Sequence, residues 1–113
     1  MRTMWILVLA SCTIAEADDY VDRRAAAECK AMARCYLGEF DSQFSSLDEC
    51  ESFVRDDLEA EAEILDEADC DYQPDEAARC VRRVRQMGCA DWVEKGTASA
   101  CDLVYDCTSG GGE

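Results

Sequence analysis

Between Cys70 and Cys107 the chain places five cysteines in 38 residues, CDYQPDEAARCVRRVRQMGCADWVEKGTASACDLVYDC, and this density limits the folds open to it. Nine cysteines in 113 residues mark a disulfide scaffold, the usual resource of an exported domain too small to be held by its core alone. There is no histidine and no CxxC pair. Cys/His zinc sites, thioredoxin-type redox chemistry and every histidine-based triad are thereby excluded. The net charge of −15 argues against nucleic acid as a partner, since a polyanionic backbone needs a surface of the opposite sign. No cofactor is expected.

The first seventeen residues, MRTMWILVLASCTIAEA, read as an export signal: Arg2, then the apolar run Trp5 to Leu9, too short to span a bilayer. Leu9-Ala10-Ser11-Cys12 resembles the lipobox of bacterial lipoproteins, in which cleavage precedes a cysteine that is then lipidated. Thr13 is not the aspartate that retains such proteins at the inner membrane, so the resemblance implies the outer membrane or cell surface, held through a lipid anchor. The alternative is ordinary cleavage after Ala15-Glu16-Ala17, which would leave a soluble extracellular protein. With Cys12 set aside, eight cysteines remain, an even number that can close four bridges.

The domain is expected over 18–107, with 108–113 as a frayed tail. Its fold class is all-α: a disulfide-stapled bundle of three main helices and a short fourth. A first helix is expected from Asp18 to Leu37, with Val21, Ala25, Cys29, Met32, Ala33 and Tyr36 on one face and Gly38 as its stop. Glu39 to Ser45 reads as a polar loop. Ser46 and Glu49 have capping-box spacing at the start of a second helix, whose stripe is Leu47, Cys50, Val54, Leu58, Leu65 and Ala68. Between Asp48 and Asp69 that helix carries eleven acids and one base, Arg55, so packing and bridges must hold it. Pro74 opens a third helix, which ends at Gly88 and bears Arg79, Arg82, Arg83 and Arg85. A final helix is expected from Ser99 through Tyr105. No strand-like alternation is visible.

Helical geometry excludes some bridges. Cys29 and Cys35 share a helix, about 9 Å apart along its axis and on faces about 120° apart, too far for a disulfide. The same holds for Cys101 and Cys107 if both lie on the last helix. Pairing cysteines across the nearest loops gives Cys35–Cys50, Cys70–Cys80 and Cys89–Cys101, and leaves Cys29–Cys107.

Candidate sites are few. Asp66, Asp69, Asp71, Asp75 and Glu76 are the densest acidic stretch, but Pro74 and Cys80 stand where an EF-hand needs glycine and a bidentate glutamate, so no metal site is expected. The acidic helix reads as a solvated face or a docking surface for a basic protein partner. The third helix's arginines read as facing the acidic helix or solvent, with an anion site as the rarer use. Trp92 with Val93 reads as a core plug. No nucleophile–base set is visible, so no catalytic residue is expected.

Cys70-Asp71-Tyr72, Ala77-Ala78 before Cys80, Cys89, and the run from Cys101 to Cys107 resemble a group of small cysteine-rich helical exported proteins, many of them predicted lipoproteins of myxobacteria and related bacteria. The resemblance implies an envelope location and carries over no functional residue. The expectation is therefore a non-catalytic cell-envelope lipoprotein module. A freely secreted effector or inhibitor is the first alternative and an enzyme the second.

Overall fold

A computed structural model describes residues 13–95 and 99–107. Cys12 with its expected lipidation, residues 1–11 of the leader and the 108–113 tail lie outside the described residues. Within them the chain is an all-α, disulfide-stapled domain. No helix among these residues is long and apolar enough to cross a membrane.

The central element is α1 (Ala17–Cys35). Its buried residues, Tyr20, Val21, Ala25, Ala27, Glu28, Cys29 and Ala31, cover more than one face. Alanines make this possible: short side chains let two helices approach the same helix from different sides, and they favour the helix itself. One neighbour is α3 (Leu47–Glu67), whose Cys50, Val54 and Leu58 are buried at four-residue intervals. The other is α4 (Pro74–Gln86), which buries Ala77, Ala78, Cys80, Val81 and Val84 and turns its arginines outward.

Helix ends follow local chemistry. Glu49 N–H donates to Ser46 Oγ at 3.1 Å, the expected cap, but the Glu49 carboxylate accepts from the amide and hydroxyl of Ser45 rather than from Ser46. Those two bonds hold its carboxyl below the usual carboxylate range. At the other end of α3, Asp69 adopts φ 63°, while Asp69 N–H donates to Asp66 O and Cys70 N–H to Leu65 O. This is a Schellman stop with aspartate in the position glycine usually fills.

Three segments differ from the sequence expectation. The expected polar loop contains a helix, α2 (Leu37–Gln43), so α1 stops at Cys35 and Gly38 lies inside the next element. Phe40 is what drives it: buried, and in ring contact with Phe44, it needs a helical turn to reach the core. After Gly88 a short α5 (Cys89–Lys95) buries Trp92, as expected of a plug, but leaves Val93 57 % exposed. The last helix is shorter than expected, a 3₁₀ turn over Ser99–Leu103. The chain then extends as β2 (Tyr105–Asp106), antiparallel to β1 (Asp71–Tyr72). Strands of two residues carry no alternation to read.

None of the four expected bridges forms; the sulfurs pair as Cys29–Cys50, Cys35–Cys89, Cys70–Cys107 and Cys80–Cys101. Cys35–Cys50 fails because Cys29 occupies the face of α1 toward α3. The same 120° offset that forbids Cys29–Cys35 then sends Cys35 elsewhere, to the start of α5. Cys70–Cys80 and Cys29–Cys107 fail because the ladder pairs Asp71 with Asp106, and one step further along that register sets Cys70 opposite Cys107. Cys89–Cys101 fails because Cys80, buried on α4, packs against the 3₁₀ turn that carries Cys101. The exclusion of Cys29–Cys35 holds, both lying on α1; that of Cys101–Cys107 does not apply, because Cys107 follows β2 and shares no helix with Cys101.

The folded unit also begins upstream of residue 18. Ile14 is 4 % exposed, its N–H donates to Pro74 O at 3.1 Å, and its carbonyl accepts from the Tyr72 hydroxyl at 2.6 Å.

Candidate functional site

The C-terminal half of α3 overhangs the surface formed by α1 and the two-stranded ladder. The Leu47, Val54, Leu58, Leu65 stripe runs out there: Leu65 is half-buried, Ala68 exposed and Ile64 66 % exposed. Beneath it lie Tyr20, Tyr72 and Tyr105, with ring centroids 6.1 Å apart for Tyr20–Tyr72 and 5.6 Å for Tyr72–Tyr105. The ladder presents Tyr72 and Tyr105 as register partners, and α1 brings Tyr20 to them.

Two adjoining hollows open between this floor and α3. The first, about 340 Å³, is lined by Tyr20, Arg24, Leu58, Glu61, Leu65, Asp102 and Tyr105 among others. The second, about 460 Å³, is lined by Asp18, Val21, Glu59, Glu63, Asp66, Tyr72 and Tyr105 among others. Together they form a groove with an aromatic floor and acidic walls. Such a surface suits a cation, through carboxylate contacts and the negative faces of the rings.

Behind the floor, Arg24 donates to the Tyr20 hydroxyl at 2.7 Å and pairs through Nε with Glu28. Both charged side chains are largely buried, at 13 % and 12 % exposure. Burial works against the Arg24 charge, but Glu28 and Tyr20 outweigh it and leave its pKa raised. Burial pushes the Tyr20 phenol up, and the opposing Arg24 charge and hydrogen bond do not cancel that rise. Tyr72 and Tyr105 are likewise pushed above the ordinary phenol value, chiefly by burial and then by their anionic and phenolic neighbours. At neutral pH these phenols hold their protons. All eight described cysteines are in disulfides.

The densest acidic stretch does not converge. Asp66 stands on the groove wall, Asp69 in the turn after α3, Asp71 in β1, and Asp75 with Glu76 in the first turn of α4, where Glu76 lies 3.8 Å from Arg79. Among the described residues no group of three cysteines or carboxylates is placed to hold a metal ion. The arginines of α4 do not line the acidic helix either: α3 and α4 each pack on α1 and scarcely touch one another. Arg82, Arg83 and Arg85 face solvent, and of the acidic helix only Arg55 reaches across, to Asp22 of α1 at 2.8 Å.

Sequence reasoning passed over Ile14, Tyr20, Arg24, Glu28 and Tyr105. Tyr20, Arg24 and Glu28 did leave a signal: they recur every four residues, so they had to share one stripe of α1. Tyr105 left none, since its place depends on a ladder too short to recognise.

No family model, no curated protein and no solved structure matches the chain.

Proposed function

We propose that the protein is a non-catalytic module of the cell envelope, exported, cleaved before Cys12, held to a membrane by lipid at that residue, and docking a basic protein partner along α3. Four disulfides fit a protein that is oxidised after leaving the cytoplasm. The observation that carries the choice of cleavage site is Ile14. Cleavage before Cys12 keeps this residue, its buried side chain and its hydrogen bonds to Pro74 and Tyr72; cleavage after Ala17 discards all of them. Removal of one buried isoleucine and two hydrogen bonds costs about 3 kcal/mol or more, a large share of a small domain's stability. Stable anchoring then comes from more than one acyl chain. The tyrosine-floored groove under α3 supports the basic partner, since its walls offer carboxylates and its floor offers ring faces to lysine or arginine side chains.

The mass of the mature protein tests this reading. A chain beginning at Cys12 with added acyl mass, and palmitate label lost in Cys12→Ala, is the expected result. A mature chain beginning at Asp18, or label retained in the variant, would overturn it.

A further inference from the structure

We infer that the face shared by the C-terminal halves of α1 and α4 binds a phosphate group. The reason is how this acidic chain distributes its few cations. Arg23, Arg24, Arg55 and Arg79 each stand within ion-pair distance of a carboxylate, namely Asp19, Glu28, Asp22 and Glu76. Among the described residues, Lys30, Arg34, Arg82, Arg83 and Arg85 have no carboxylate in reach, although the chain carries 26 acids. All five lie on one pair of packed helices.

Three of them converge. Lys30 and Arg34, one turn apart on α1, and Arg85 on α4 surround a hollow of about 160 Å³ floored by Ala26, Ala27 and Val84. Arg34 also reaches across to α4's end, its Nη2 donating to Met87 O at 3.4 Å. A helix dipole accounts for cations in a last turn, as with Arg34 and Arg85. It does not account for Lys30, which lies more than a turn from the end of α1, nor for a depression between the three. Like charges brought together repel, and here no side-chain carboxylate among the described residues stands within ion-pair distance of them. An anion from outside would.

A tetrahedral oxyanion is the class that fits. Guanidinium groups present paired N–H donors that match two oxygens of one phosphate, and an ammonium adds a point charge beside them. The alanine floor leaves room for such a group. The phosphate can be a free or terminal phosphate group, or the diester of a lipid headgroup. The site does not depend on lipidation. It lies eleven residues along α4 from Pro74, about 16 Å from the end where Ile14 is seated.

The test is an amide chemical-shift titration of the oxidised protein at low ionic strength, where charge interactions are least screened. One arm uses inorganic pyrophosphate. The other uses dihexanoyl phosphatidylglycerol below its micelle concentration. Saturable shifts at Ala26, Ala27, Lys30, Arg34, Val84 and Arg85 are expected, with a dissociation constant on the order of 1 mM. The triple variant Lys30→Gln, Arg34→Gln, Arg85→Gln should weaken binding at least about tenfold, since it removes every charged donor. Its side chains are exposed, so it should fold. The control Arg23→Gln, Arg79→Gln should bind as the parent does. Saturation by pyrophosphate alone assigns a terminal phosphate group, and saturation by both extends the site to diesters. Shifts that never saturate, that spread equally to Arg23, Arg55 and Arg79, or that survive the triple variant would overturn the inference.

Discussion

Asp69 holds a left-handed backbone at φ 63° so that Cys70 can leave α3 toward the ladder. An L-residue there is strained by about 1 kcal/mol relative to glycine, and its negative charge sits at the negative end of the helix dipole. Asp69→Gly should therefore stabilise the domain by roughly 0.5–1 kcal/mol, even after the extra freedom glycine gives the unfolded chain. A denaturation midpoint lower than the parent's would contradict this. Arg24 and Glu28 give the opposite case. Arg24→Met strands a largely buried carboxylate and should cost about 2–3 kcal/mol, less than for a fully dry pair because water reaches one edge. Adding Glu28→Leu to Arg24→Met should recover most of that loss. A double-mutant cycle with additive losses would mean that the pair is not coupled.

Among elements, the long helices were legible and the short ones were not. α3 and α4 announce themselves through Ser46, Pro74 and sustained apolar stripes, and both run over the expected residues. α2, α5 and the ladder are each seven residues or shorter, so one buried side chain decides them: Phe40, Trp92 or Tyr105 packing on a core that must already exist. The candidate groove was half legible for the same reason. Its acidic wall is local to α3, whereas its tyrosine floor joins residues up to 85 positions apart, from Tyr20 to Tyr105. That floor carries a pH signature. Tyr20, Tyr72 and Tyr105 all have pKa values raised above 10.0 in the folded state, so folding favours their neutral forms. The stability this contributes is complete below pH 10.0 and is lost as pH rises through the folded-state values. Phenolate absorbance from these three should grow only above pH 10.0, in step with loss of the helical signal. Ionisation of all three at the ordinary value with the helices intact would show that the floor is open to water.

At the scale of the whole molecule, two bridges, Cys35–Cys89 and Cys70–Cys107, tie together elements that the core joins weakly, whereas Cys29–Cys50 and Cys80–Cys101 lie within well-packed pairs. Cys35–Cys89 closes the longest loop, with a sequence separation of 54, and links α1 to α5; Cys70–Cys107 follows with 37, then Cys29–Cys50 and Cys80–Cys101 with 21 each. In the chain-entropy picture these loops stabilise by about 4 kcal/mol for the longest and about 3 kcal/mol for each of the shortest. Access runs the other way. Cys29, Cys50 and Cys80 are fully buried, whereas Cys35 and Cys89 are half-buried and Cys107 is exposed. A thiolate must reach a sulfur to exchange with it, so limiting reductant should open Cys35–Cys89 and Cys70–Cys107 first. Together those two supply about 8 kcal/mol on the same reckoning, comparable to the stability of an entire small domain. Their loss should therefore unfold the chain and expose Cys29–Cys50 and Cys80–Cys101 to reduction in one cooperative step. Alkylation and mass mapping during reduction should find chains with two bridges gone to be scarce, and those with one or four gone to be abundant. Helices that persist after the first two bridges open would instead show that the alanine-lined packing around α1 is enough to hold the bundle.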